Sequence, residues 1–593
     1  MGADLLHYDS TIRATVDDVR AAQELVHEAG LAAMLARWEA EDRQREGKRG
    51  ARGAWASPEQ IITMLMVLAR LRRAQTVANL TALVVTGLTD AAVERLGLDA
   101  RGMKPRAAYH RLQRSLRRMN RVMDPHLEHV HRHRKLSKTE FAAQNAGADA
   151  GRTERNKQRL RTFTSELLLA TWRAMPAEVR GRYHGNIAVD GTFIPAWGKH
   201  GTYRRSDHVA IEPHADWYVR DGEHALDPSA DAKEVAKKKR MWGWEATLAV
   251  MTTNDPTRAD TFPKLVLGMD VDKPARSPGR NAIHALTPLH AAGVPAGMLI
   301  GDRAYGNTPK VQDFQRPARL MGYELLYDMK ATDVGKVRMF NGVVMLEGNA
   351  YSPSILGHPE LVQATLHFRE GDERGAKIDE ATYHARIAAR ARFLVQFRTA
   401  QRPDGSRQGL CPAAGPNPTV SCPLRPRDVD PRAGEGMTLM PVKRSAVPGA
   451  ETAGPLCNNA GGTAVLKGEV WERNAMALQY GTRAWHRLYR TGRQTIESRN
   501  GLLKDDAGPQ IAAPGRRRVR GQAALTVFLA TMIAAHNLVL IERFLAADVA
   551  VDARGRGSAR QHTTRRRDAV WGPKAALRAL QPRAPGAEEP AHP

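Results

Sequence analysis

Cysteine is nearly missing from this chain: there are three in 593 residues, at Cys411, Cys422 and Cys457. So sparse and odd a set excludes a disulfide scaffold and suits a reducing compartment. No CxxC pair occurs, so the common zinc spacing is absent, although three thiolates and a fourth group can hold that ion. Acidic residues are also in deficit. Against 89 Lys+Arg stand 63 Asp+Glu, a formal net charge of +26, and so basic a chain suits a polyanionic partner such as nucleic acid. The opening MGADLLHYDS lacks the basic-then-apolar pattern of a secretory signal. Long apolar runs are scarce as well. The one candidate, Ala523 to Ile541, has 19 residues without a charge, long enough to span a bilayer. It carries Thr526, Thr531, His536 and Asn537 and stands alone, so we read it as a buried core helix and expect no membrane partner.

What the chain does contain divides it by pattern. Residues 1–100 read as a helical N-terminal domain, with helix starts at Thr15-Val-Asp-Asp18 and Ser57-Pro-Glu-Gln60. Several short helices joined by tight turns make either a helix-turn-helix module that binds DNA ends or, more commonly, an ordinary small helical domain. Residues 101–160 read as a basic helix and linker: from 101 to 138, twelve Arg/Lys face only Asp124 and Glu128. Arg111, Arg114, Arg118 and Arg121 recur at helical steps opposite Ala108, Leu112, Met119 and Met123, a basic face suited to DNA phosphate over an apolar one. His126, His129, His131 and His133 follow, with no carboxylate or Cys pattern to complete a metal site.

From 161 to 335 the reading is strands and helices in a mixed sheet. Strands are expected at Ile187–Asp190, Glu245–Thr252, Phe262–Met269, Gly297–Asp302 and Tyr323–Asp328, and helices at Asn281–Ala292 and Val311–Met321. Lys237-Lys-Lys-Arg240 falls between expected strands. Residues 336–480 read as a β-rich insertion, with a Pro- and Gly-rich, partly disordered stretch at 402–460. Residues 481–546 return to helix, and 547–593 form a basic tail expected to be disordered.

Three carboxylates stand out. Asp190 ends an apolar run and precedes Gly191-Thr192; Asp302 ends another, in LIGDRAYGN; Glu497 lies in HRLYRTGRQTIESRNGLLK. Strand ends are where open α/β sheets present functional groups. On a helix, Arg490, Arg493, Asn500 and Lys504 fall within about 60° of Glu497. A lone acid among bases suits a metal ligand beside a DNA backbone.

In order, AVDGT, GDRAYGN and R-x3-E-x6-K resemble the DDE transposases of bacterial insertion sequences, the group whose third motif runs Tyr-x2-Arg-x3-Glu-x6-Lys. Arg493, Glu497 and Lys504 match that spacing. Arg490 stands at the Tyr position, with Tyr489 one residue early; on a regular helix Arg490 faces the site and Tyr489 points sideways toward neighbouring structure. The resemblance covers roughly 185–335 and 480–545. It implies an α/β fold with a ribonuclease H-like mixed sheet and flanking helices, interrupted by the insertion before its last catalytic helix. It further implies catalysis by Asp190, Asp302 and Glu497 holding two Mg²⁺ ions, with Mn²⁺ able to substitute; Asp190 bridges the pair. Thr192, Arg303 and Tyr305 neighbour these ligands. The implied activity is cleavage at the inverted-repeat ends of the element and strand transfer into target DNA. It is set in the bacterial cytoplasm at the nucleoid, by a homodimer on double-stranded DNA. The rival readings are a metal-dependent nuclease of the same fold without strand transfer, and an inactive DNA-binding repressor derived from a transposase.

Overall fold

The computed structural model describes residues 9–47, 54–129, 135–198, 208–220, 239–397, 399, 401–425, 439–447, 449 and 453–554. The end of the expected tail, His131, His133, Lys237, Lys238 and parts of the 402–460 stretch lie outside these.

Capping chemistry starts the N-terminal helices where the sequence places them. Thr15 Oγ1 accepts from the Asp18 N–H at 3.3 Å while the Asp18 carboxylate accepts from the Thr15 N–H at 2.9 Å, opening helix Val16–Glu28. Ser57 and Gln60 repeat the exchange ahead of Pro58–Arg70, each box satisfying two otherwise orphaned donors. The basic helix runs Pro105–Arg121. Ala108, Leu112, Met119 and Met123 are buried beneath it.

The sheet comprises β1 (Ile187–Pro195), β2 (Asp216–Arg220), β3 (Lys239–Met251), β4 (Val266–Asp272), β5 (Met298–Ile300) and β6 (Glu324–Leu326). β3 is antiparallel to β1, β2 and β4, whereas β1, β5 and β6 run parallel. The order is therefore β4-β3-β1-β5-β6, with β2 paired to the opening residues of β3. Ile187, Ala188 and Val189 are all buried, as an unbroken apolar run in a sheet covered on both faces should be. Helix Pro278–Ala291 crosses over between β4 and β5.

Three local expectations need correction. β1 continues five residues past Asp190, which therefore sits in mid-strand, held by pairing with Leu248 of β3. Lys239 and Arg240 belong to β3 instead of a loop, because β2 extends the sheet to them. The helix expected over Val311–Met321 divides into a 3-10 turn, Val311–Asp313, and a helix, Gln315–Leu320. Pro317 cannot continue a helix begun at Val311, since its ring would strike the carbonyl four residues back.

The insertion has a hydrophobic core of its own, from Val343 and Leu346 to Leu466 and Trp471. It is mixed rather than β-rich. Short sheets, such as Val337–Phe340 with Val343–Leu346 and Asn349–Tyr351, alternate with helices such as Glu380–Arg390. That helix is alanine-rich, and the Asp379 carboxylate caps it by accepting from the Thr382 N–H at 2.6 Å, two features that favour helix over strand. At its end Arg390 pairs with Glu347 at 2.5 Å, both side chains fully buried.

The apolar run forms helix Gln522–Arg554, which carries on eight residues into the tail expected to be disordered, because neither Gly nor Pro interrupts it. It is long and apolar enough to cross a membrane by length and composition, but here it is largely buried. It packs against Pro58–Arg70, Ala150–Arg173 and β4, so one hydrophobic cluster joins the N-terminal helices to the sheet. Two of its polar residues, Thr531 and Asn537, are matched. The Asn537 amide donates to the Val266 carbonyl at 2.8 Å and to Thr171 Oγ1 at 3.0 Å, and accepts from the Val266 N–H at 3.2 Å. Thr531 Oγ1 accepts from Gln75 at 2.9 Å. A buried amide so satisfied costs little and fixes the helix against β4.

Candidate active site

Asp190 on β1 meets helix Arg483–Lys504, which crosses the sheet close to β1 and β5. The close approach is made at Gly492, where an added Cβ would lie 2.3 Å from Ile300 Cδ1. Asn500 Nδ2 donates to Asp190 Oδ2 at 3.3 Å. The Arg493 guanidinium lies 3.6 Å from Asp190 Oδ1 and 3.0 Å from Glu497 Oε1, linking the two acids. Asp302 follows β5 and caps the short turn Arg303–Gly306, accepting from the Ala304 N–H at 2.8 Å. Burial, opposed by Arg493 but reinforced by Asp302 and Glu497, raises the Asp190 pKa to about 6. The three acids chosen from sequence thus share one electrostatic site.

A fourth carboxylate belongs to this neighbourhood and was not singled out from sequence. Glu245 of β3 is buried and its pKa is raised to about 7, by burial first and then by Asp190, Asp272 and Asp302, against a hydrogen bond from the Ala275 N–H at 3.3 Å. Its carboxyl carbon would stand 2.8 Å from a Cβ at position 191. The glycine of AVDGT therefore makes room for Glu245 and does not turn the chain. The available signal was a lone acid inside the apolar run WGWEATLAVM, a placement that burial penalises unless the acid has a use.

Oxygen donors surround these acids. Tyr305 and Thr192 are 2% exposed, and neither hydroxyl has a hydrogen-bond partner among the described residues. Burial and the charges of Asp190, Asp302 and Glu245 push the Tyr305 phenol well above its usual range. Carboxylates and hydroxyls with unspent lone pairs form the hard-oxygen donor set that Mg²⁺ takes.

The remaining residues of the motif separate. Helix Arg483–Lys504 is regular, yet Tyr489, not Arg490, borders the acids. Tyr489 lies one turn before Arg493, about 40° round the helix. Its ring stacks on Trp485 with centroids 4.8 Å apart. Burial, with Asp328 and Asp302, raises its phenol pKa despite Arg493. Arg490 is exposed, as is Lys504 at the helix end. On the basic helix, Arg118 pairs with Glu39 at 2.6 Å and Arg121 with Glu46 at 3.5 Å; Arg111 lies 5.8 Å from the Trp55 ring and is exposed, as is Arg114. The three cysteines come close enough for their charges to interact, and burial raises Cys411 and Cys457, but their sulfur atoms do not converge to ligand spacing.

Comparison with protein-family models, curated proteins and solved structures finds no match to this chain.

Proposed function

We propose that this chain is a DDE-type DNA transposase with a ribonuclease H-like catalytic core, cutting at the ends of its element and joining them to target DNA. The observation that carries the reading is the convergence of Asp190, Asp302 and Glu497. They come from the central strand, the end of its parallel neighbour and a helix far along the chain, and they meet in one field. The order β4-β3-β1-β5-β6, three antiparallel strands continued by parallel ones, supports the same reading.

The residues present fit two Mg²⁺ ions, which when bound activate the attacking oxygen and stabilise the leaving 3′ oxygen. Asp190, Asp302 and Glu497 would hold them. Asn500 orients Asp190 through its amide. Arg493 neutralises Asp190 and Glu497 in the resting site; released from them, its fork suits a phosphate of the scissile strand. Tyr489 and Arg303 flank that path, and Arg111 and Arg114 offer exposed charge to flanking duplex.

The test uses the purified chain, Mg²⁺ or Mn²⁺, and duplexes carrying the inverted repeats that border its reading frame. Nicks at the element boundary and joined products in a target plasmid are expected. Cutting without joining would leave a nuclease of the same fold, and binding without any metal-dependent nick would leave a repressor.

A further inference from the structure

His126 and Glu128 follow the basic helix, and His214, just ahead of β2, lies more than eighty residues further along the chain. The structure brings them together. Among the described residues they form the one group of three or more His, Cys, Asp or Glu whose ligand atoms all lie within 4.8 Å of one another. His126 Nδ1 is 3.6 Å from Glu128 Oε1. The two imidazoles lie face to face, centroids 3.4 Å apart and planes 5° from parallel. Phe141 shields His214 on another side at 5.4 Å, and His126 and Glu128 keep only 16% and 13% of their side-chain surface. The carboxylate that the histidine-rich segment seemed to lack in sequence is Glu128, two residues from His126.

We propose that His126, Glu128 and His214 bind a zinc ion that fastens the segment behind the basic helix to the connection between β1 and β2. Two imidazole nitrogens and one carboxylate oxygen are a zinc donor set, and bonds of about 2.0–2.2 Å set tetrahedral ligands roughly 3.4 Å apart. The His126–Glu128 separation is already close to that. A metal must lie in the plane of each ring it binds, so binding turns one imidazole out of the stack. His214 sits in a turn ahead of β2, outside any helix or strand, and is the ring assigned to turn. The site has a mechanical logic. The same two segments already meet through the Ser137–His208 bridge and the Val209 N–H to Leu136 carbonyl bond at 2.8 Å. A metal a short distance away adds a second fixed point, and so sets the direction in which the basic helix is presented. None of the carboxylates of the candidate active site takes part.

The experiment is metal analysis of the untagged full-length protein after dialysis into Mg²⁺ buffer, followed by cobalt replacement. About one zinc per chain is expected, retained in Asp190→Ala and in the combined Cys411→Ser, Cys422→Ser, Cys457→Ser variant, and mostly lost in His214→Ala and Glu128→Gln. The cobalt form of the unmodified protein should show visible bands of nitrogen and oxygen ligation without an intense thiolate charge-transfer band, a readout that needs no variant to fold. Failure to bind zinc at one equivalent, a thiolate band, or loss of metal only in the cysteine variant would each overturn the proposal.

Discussion

At the scale of single residues, burial raises the pKa values of Asp190 and Glu245 to about 6 and about 7, with Asp302 and Glu497 adding to it at Asp190, and Asp190, Asp272 and Asp302 at Glu245. A carboxyl whose folded pKa is raised favours folding fully below its unfolded pKa, near 4, and loses that contribution as pH climbs through the folded value. Glu245→Gln should therefore be more stable than the parent at pH 8, by up to about 3 kcal/mol for a shift of that size, and nearly equal to it at pH 4. Urea unfolding at the two pH values measures this; an offset independent of pH would mean that the charge of Glu245 is not what strains the fold. The ligands themselves should behave as a unit. Asp190→Ala, Asp302→Ala and Glu497→Ala are each expected to remove at least nine-tenths of cleavage while end binding persists, since groups that act together fail together. A gel assay of nicking beside a mobility shift separates the two, and any variant that keeps most of its cleavage leaves the site.

At the scale of elements, helix Arg483–Lys504 depends on a glycine for its seat. Gly492→Ala drives a methyl against Ile300, and overpacking of this kind costs about 1–3 kcal/mol. Because the helix carries Arg493, Glu497 and Asn500, the displacement should depress cleavage more than it depresses stability, and Ile300→Ala in the same chain should recover part of it. A kinetic double-mutant cycle reads the coupling; strict additivity would show that the contact does not set the helix. Much of this element was legible beforehand, because the spacing from Arg493 to Glu497 to Lys504 is a property of sequence alone. What was not legible depends on tertiary approach. Gly492 makes a close contact with Ile300 that no helical spacing announces; Tyr489 read as turned away, yet its ring stacks on Trp485 within reach of the charges of Asp328 and Asp302. Asp190 read as a strand end because Gly191-Thr192 follows, and only pairing with β3 shows the strand continuing. The insertion was misjudged because Gly and Pro mark its turns, while the capped, alanine-rich stretch at 380–390 supplies helix.

At the scale of the whole molecule, the charge of +26 is not equally available to a polyanion. Arg118 and Arg121 are already answered by Glu39 and Glu46, whereas Arg111 and Arg114 are exposed. Each phosphate contact adds roughly 0.9 to the slope of log affinity against log salt. Replacing Arg111 and Arg114 by Gln should lower that slope by nearly twice this amount, and the same change at Arg118 and Arg121 should lower it much less while destabilising the helical domain. Salt titrations of DNA binding decide it; equal slopes for the two pairs would show that the intramolecular bridges open on DNA.

Helix Gln522–Arg554 fills the space between Pro58–Arg70, Ala150–Arg173 and β4, although almost the entire chain precedes it. During synthesis the N-terminal helices and the sheet leave the ribosome long before the piece that closes their common core. Until then the nascent chain presents an open apolar trough, a state that chaperones must shelter and proteases can reach. A message broken before codon 522 should therefore yield degraded or aggregated fragments, not a soluble DNA-binding competitor, so loss of the helix silences the gene product instead of converting it into an inhibitor.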